Sequence, residues 1–278
     1  MMKAISLADD SEELIYETVV LMDKLGISAK EKIDFLTSHK ITRDDCFTEL
    51  AKAYNQALQP EKAIETLMSH SFVPCEGGEH AIADQYQFAH LVMGREEQEK
   101  GNTERAIELF RKGQVLPQSL GAGIWNHCKL VPLKFFEAVC LEEMGKKSEA
   151  DEIFKYIATI GIEYFSNMHL KEQPYYQACA WKHLCENIKA QRLITKYRRE
   201  WKNIDEVIDN GFFGTTPFFI SFTDNPKQLR RSQHCYLNAL IADFTGDKEK
   251  AQAYISESLD LNSENLPALT FKIQGFLK

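Results

Sequence analysis

The sequence predicts an all-α fold of stacked helix hairpins, a right-handed α-α superhelix with irregular loops between its units. Three observations predict it. The first is a recurring spacing of small and large residues. Gly101, Ala106 and Phe110 stand at offsets of zero, five and nine, as do Gly145, Ala150 and Phe154, and Gly246, Ala251 and Ile255. Leu58, Ala63 and Leu67, and Cys185, Ala190 and Ile194, are looser copies. A spacing that returns along a chain marks supersecondary units that bury their apolar faces on one another. The second is a helical period of apolar residues between these points, broken by glycine and proline. The third is composition: 44% hydrophobic and 27% charged residues in 278 leave enough apolar surface for continuous burial.

The spacing has a mechanical reason. Glycine allows a tight inter-helix turn without strain at Cβ. Alanine lets two helix backbones approach, and the large residue fills the groove that the approach creates.

The elements follow in order. From Ser11 to Leu25, the residues Leu14, Ile15, Val19, Met22 and Leu25 keep a helical period, and Gly26 ends the helix as a left-handed cap. Ser28 with Glu31 forms a capping-box pattern for a helix to His39. Here Gly26 and Phe35 keep the outer offsets while Glu31 takes the small middle position, the worn form expected of a terminal unit. Asp44 or Asp45 opens a helix through Leu58, and Pro60 suits the first turn of the next, to about His70. Pro74, Gly77 and Gly78 put residues 71–78 in a loop. Helices Glu79–Met93 and Glu104–Val115 flank a turn at Gly101 and Asn102. Later pairs run over Leu133–Met144 and Ser148–Ile160, then Tyr175–Glu186 and Ile188–Ile208. Helices Leu229–Phe244, Lys248–Leu261 and Glu264–Phe276 close a single domain spanning residues 1–278, of roughly thirteen helices. Loops near 71–78, 117–131, 161–173 and 209–226 lengthen the units, and loops inserted on one face of a solenoid often form its binding face.

Charge and segment content exclude several classes. Net charge is −8, from 33 basic against 41 acidic residues, which disfavours wholesale binding to nucleic acid or anionic membrane. The opening MMKAISLADDSEE holds too short an apolar run for a secretory leader. No apolar run reaches the roughly 18 residues that cross a bilayer. Seven scattered cysteines, an odd number, fit a reducing cytoplasm better than a disulfide scaffold.

Gly94, Gly101, Ala106, Phe110 and Pro117 stand at positions that resemble the tetratricopeptide consensus, and GDKEKAQAYISESLDLNSEN resembles a closing repeat of that type. A further series is RDD at 43–45, FVPCEGGE at 72–79, LPQSLGAG at 116–123 and GFFGTTP at 211–217, followed by QHCYLNAL and GDKEKA. It resembles the helical C-terminal region of bacterial proteins in which such an array follows a β-sandwich domain of unknown function. The resemblance covers nearly all of the chain, and it implies the fold more firmly than an activity. Some relatives are associated with carbohydrate utilisation. The family's usual tryptophan is Cys75 here, and the sandwich is not part of these residues, so a separate β-sandwich protein enters as a candidate partner.

Candidate sites are each weighed against a structural reading. Glu76, Glu79 and His80 beside the double glycine form a polar loop that would present carboxylates to a ligand. A carboxylate in a helix first turn is also favoured by the helix dipole, and this structural reading outweighs the other. Carboxylates alone identify no reaction, so no catalytic residue is assigned. Gly121-Ala-Gly123 lacks the third glycine of a dinucleotide loop, and Gly145-Lys-Lys-Ser lacks the P-loop pattern, so no cofactor is expected. Cys179 and His183 stand four apart without partners to complete a metal set. The basic run Lys189, Arg192, Lys196, Arg198, Arg199 and Lys202 reads as a solvated helix face with Tyr197 and Trp201 turned to the core. Phe212, Phe213, Phe218, Phe219 and Phe222 read as a seal over a helix pair.

Tyr175 and Tyr176, with Tyr86, His90, Arg230 and His234, are the expected groove-lining residues, a role that ordinary inter-repeat packing would fit as well. The expected function is a non-enzymatic interaction scaffold whose groove holds a peptide, a protein partner or another copy of the chain. The alternative is a carbohydrate-binding or carbohydrate-processing accessory protein using the Glu76–His80 loop and the groove aromatics.

Overall fold

In a computed structural model, the described residues are 11–74, 79–122, 130–161, 172–201 and 226–274. They form thirteen α-helices and, among the described residues, no strand. These are α1 (Glu12–Lys24), α2 (Ala29–Thr37), α3 (Asp44–Gln56), α4 (Pro60–Met68), α5 (Glu79–Glu99), α6 (Thr103–Gly113), α7 (Val131–Glu143), α8 (Lys147–Thr159), α9 (Gln173–His183), α10 (Asn187–Trp201), α11 (Pro226–Phe244), α12 (Lys248–Leu261) and α13 (Leu266–Gln274). A 3-10 turn, Gln118–Leu120, precedes α7. The described residues within Met1–Met93 and Val115–Ile124 form one compact unit, and those within Gly94–Gln114 and Trp125–Lys278 another.

Five hairpins turn at the positions the spacing marks. Leu58, Gly101, Gly145, Cys185 and Gly246 have φ of 58°, 82°, 76°, 61° and 85°. At each, the left-handed residue donates its N–H three residues back and its successor donates five back, as in Gly101 to Gln98 (3.0 Å) and Asn102 to Glu97 (2.9 Å). This pair of bonds satisfies carbonyls that a helix end leaves open.

The middle and last positions are core. Ala63, Ala106, Ala150, Ala190 and Ala251 are no more than 1% exposed, and Leu67, Phe110, Phe154, Ile194 and Ile255 no more than 2%. Twelve residues before each alanine, the first helix of the hairpin also carries a small residue: Ala51, Gly94, Ala138, Ala178 and Ala239. Both faces of the crossing are thus small, which allows close helix contact.

The first hairpin is shifted by one residue. Gly26 turns with φ 67°, but the cap is Ser28, two residues on, whereas Asn102 and Asp247 cap directly after their glycines. The extra residue moves the buried positions to Lys32 (4% exposed) and Leu36 (0%), leaving Phe35 half-buried. Glu31 is not the middle position but the capping-box partner of Ser28, as the sequence pattern suggests.

In the first unit, Ile15, Val19, Leu36, Cys46 and Leu50 form one apolar cluster. Ala51, Leu67, Phe72, Ile82, Tyr86 and Leu120 belong to a second. Glu12 of α1 accepts from the backbone N–H of Thr42 and Arg43 (2.8 Å each), so a carboxylate from one hairpin caps the approach to the next. Phe72 N–H donates to Ser119 O at 2.8 Å. A Cβ at Gly121 would lie 2.6 Å from Phe72 O, so only glycine fits there.

In the second unit, an aromatic chain runs through the hairpin cores. Phe110 stacks on Phe136 (6.0 Å), Phe136 meets Phe135 (5.6 Å), and Phe135 meets Tyr176 (5.5 Å). Tyr175, beside Tyr176 (5.4 Å), then meets Phe271 (5.8 Å), which meets Tyr236 (5.8 Å).

The expected boundary of α5 at Met93 is corrected: the helix continues to Glu99. Gly94 does not break it but clears room for a ring, because a Cβ there would stand 2.4 Å from Phe110 Cε1. The aromatic run 212–222 and the loop residues Glu76, Gly77 and Gly78 lie outside the described residues.

Candidate functional site

Among the expected site residues, Glu76 lies outside the described residues, as do the side chains of Glu79 and His80. By backbone, Glu79 and His80 are the first two residues of α5, where the sequence reading puts a dipole-favoured carboxylate.

Tyr86 and His90 sit one turn apart on α5, and their rings meet edge to face at 4.5 Å. They are 6% and 5% exposed. Tyr86 belongs to the cluster with Phe72 and Leu120, and burial raises its phenol pKa above the usual value. Next to it, the buried Asn55 donates through Nδ2 to Gln85 O (3.0 Å) and Gln85 Oε1 (2.9 Å), fastening α3 to α5.

A polar couple that the motif reading did not assign stands at the start of the 71–74 segment. His70 Nε2 lies 2.6 Å from Asp44 Oδ1, and Val73 N–H donates to Asp44 Oδ2 at 2.8 Å. The imidazole stacks on Phe47 at 4.2 Å and 11°. The signal in the sequence was the RDD segment at 43–45, which carried the resemblance without a role. The geometry gives it one: Asp44 ties the loop to α3, and Arg43 and Asp45 pair beside it at 2.6 Å.

In the second unit, Tyr175 and Tyr176 begin α9 and are 0% and 2% exposed. The Tyr175 hydroxyl donates to Asp243, and Tyr176 packs on Phe135. Burial raises both phenol pKa values well above the ordinary one. Both rings are enclosed by other side chains. Arg230 and His234 are half-buried, one turn apart on the same side of α11. Tyr175, Tyr176, Arg230 and His234 thus fall within the second unit, and Glu79, His80, Tyr86 and His90 within the first.

The pair Cys179 and His183 is engaged in separate ways. Cys179 is 8% exposed, and burial pushes its thiol up to about 12. His183 Nδ1 lies 2.7 Å from Glu142 Oε2 and stacks on Phe154 at 4.3 Å, so it bridges α9 to the α7–α8 hairpin. On α10, Tyr197 is buried, as the sequence reading expects, while Arg192, Lys196 and Arg199 are exposed and line an open depression with Gln191, Thr195 and Glu200. Glu200 and Glu186 lie close to Lys196 and Lys189 (3.9 and 3.0 Å), the mixed-charge pattern of a solvated face.

Sequence reasoning missed Arg95. Its guanidinium sits 4.3 Å over the Phe136 ring and donates to Gln98 Oε1 at 2.6 Å, while Gln98 donates to Glu143 at 3.0 Å. The second miss is a position fifteen residues before the hairpin alanine, occupied by Phe135, Tyr175 and Tyr236 in three successive hairpins. The signal was present as a third spacing, aromatic in these three hairpins, whereas the two before them carry Thr48 and Leu91 there.

The family model of the tetratricopeptide repeat matches residues 235–265. That stretch covers the second half of α11 and all of α12. Among solved structures, one described as the functional characterization of Pseudomonas aeruginosa pilF is similar at 12% identity, over 95% of this chain and 98% of that chain, with a TM-score of 0.37. Among the described residues the chain is all-α, built of helix hairpins, and residues 235–265 are of tetratricopeptide type. No helix among the described residues is long and apolar enough to cross a membrane.

Proposed function

We propose that the protein is a non-enzymatic interaction module that holds a peptide or protein partner against the faces of its hairpins. The observation that carries this reading is the repeat type. Residues 235–265 match a repeat whose general role is protein–protein interaction, and the same turn and packing positions return in four further hairpins. Stacked repeats of this kind expose extended surfaces built from equivalent positions, and they recognise partners through a few buried anchors with a polar rim.

In this reading Arg230 and His234, partly open to solvent on α11, belong to the rim of the second unit's surface, and Glu76, Glu79 and His80 are the sequence's candidates for the first unit's own. Tyr175 and Tyr176, being enclosed, set the shape beneath the second unit's surface, and Tyr86 and His90 do the same within the first unit. A β-sandwich protein is the partner suggested by the sequence resemblance.

The test is affinity capture from the native cell followed by mass spectrometry, with Arg230→Glu and His234→Glu compared to the wild type. Capture of a defined protein, reduced at least fivefold by either variant at unchanged circular dichroism, is the expected result. Equal recovery by all three proteins would remove α11 from the binding surface. Recovery of no protein above background would remove the interaction reading itself.

A further inference from the structure

The position fifteen residues before the hairpin alanine gives Tyr175 and Tyr236 equivalent places in two successive hairpins, α9–α10 and α11–α12. Equivalent positions in stacked repeats face the same way. In this structure both rings meet one side chain, Phe271 of α13, each edge to face at 5.8 Å. Phe271 thus reaches beyond the last hairpin to the one before it. With Ala268 one turn earlier (0% exposed) it forms the buried stripe of α13, while Lys272 is exposed.

We propose that the face carrying Tyr175 and Tyr236 is a helix-docking site, and that α13 is its resident, displaceable occupant. The partner it fits is a short helix with an aromatic anchor and a small residue three positions before it, the pattern of Ala268 and Phe271. This deepens the interaction reading above and rests on it.

Three features argue for exchange rather than permanent packing. First, the nine described residues of α13 are too few to hold a helix in water by themselves, so their order comes from docking. Second, its polar attachment is dispensable to the surface below. Asn265 donates to Ser232 Oγ (3.3 Å) and Ser258 Oγ (3.2 Å), but those serines already bond each other's carbonyls reciprocally at 2.8 Å. Departure of α13 leaves both hydroxyl protons paired. Third, the Tyr175 hydroxyl is bonded to Asp243 of α11, not to α13, so its ring is positioned before any occupant arrives. What α13 uncovers is apolar ring surface on a preformed site. Such surface binds a replacement helix more favourably than water.

The experiment uses a fluorescein-labelled synthetic peptide of residues 262–278 and the full chain, read by fluorescence anisotropy. Two variants loosen α13 without touching the receptor rings: Phe271→Ala removes the anchor, and Ala268→Glu puts a charge in its buried contact. The expected result is saturable binding at least tenfold tighter to either variant than to the wild type, lost when the peptide itself carries Phe271→Ala. Absence of saturable binding to folded variants overturns the proposal. So does equal binding of both peptides to all proteins, which would mark unspecific adhesion. If Phe271→Ala unfolds, Ala268→Glu carries the test. Unfolding of both would show α13 to be integral to the fold, which also overturns the proposal. None of these outcomes bears on whether a cellular partner is captured, so the interaction reading stands or falls separately.

Discussion

Leu58 and Cys185 hold the left-handed conformation, at φ 58° and 61°, in turns where the other hairpins use glycine. A non-glycine residue there costs about 1–2 kcal/mol, because Cβ crowds the following carbonyl. Leu58 gains little in return, since its side chain is 48% exposed. Leu58→Gly removes the strain and adds about 0.5–1 kcal/mol of glycine entropy to folding. The net expectation is a gain of about 0.5 kcal/mol, seen as a higher urea midpoint with an unchanged slope. Gly94 is the reverse case. Alanine normally favours a helix, yet a Cβ at 94 would meet the enclosed Phe110 ring at 2.4 Å. Gly94→Ala is expected to lose about 1–3 kcal/mol by overpacking, and Phe110→Leu in that background to recover part of it. A neutral Gly94→Ala would show that the ring can move aside.

Between helices, the polar contacts in the first unit join elements rather than decorate them. Lys32 of α2 is 4% exposed and pairs with Asp23 of α1, and its ammonium also reaches Gln56 Oε1 of α3 at 2.6 Å. Asp23 takes a second cation, Lys52 of α3, at 2.8 Å. One carboxylate therefore serves three helices. Asp23→Ala leaves a buried ammonium without its counter-charge and is expected to cost about 3 kcal/mol. Asp23→Ala combined with Lys32→Met should recover most of the loss, measured by urea unfolding. If the double variant is no more stable than the single one, the network acts through Lys52 instead. This device was not legible in the sequence. The hydrophobic period marks position 32 as inward, but only the one-residue shift of the first hairpin brings Lys32 opposite Asp23. That shift comes from the extra residue between Gly26 and its cap, a detail that offset counting passes over.

Across the chain, burial of tyrosine and cysteine sets a pH response. Burial raises the phenols of Tyr175, Tyr176 and Tyr236 well above 10.0, and pushes the thiols of Cys46 and Cys140 from 9.0 up to about 12. A group with a raised folded pKa contributes stability that is whole below its unfolded value and is lost as pH rises through the folded one. The urea midpoint is therefore expected to hold up to about pH 9 and then fall steeply towards pH 12, as the unfolded chain releases protons the native one keeps. Tyr236→Phe should make the fall shallower. A midpoint that stays level to pH 11 would mean that water reaches these groups in the folded protein.

The sequence by itself determined the class, the hairpin turns and the core of each crossing. It did so because a left-handed turn and a close helix contact restrict residue type at single positions, and those restrictions repeat. The tertiary structure decided what meets what: Phe271 between Tyr175 and Tyr236, Asp44 under His70, Arg95 over Phe136. Tyrosine and arginine at an inward position satisfy a core, a groove or an ion pair equally well. Which of these they serve depends on residues far along the chain, and local spacing carries no record of those.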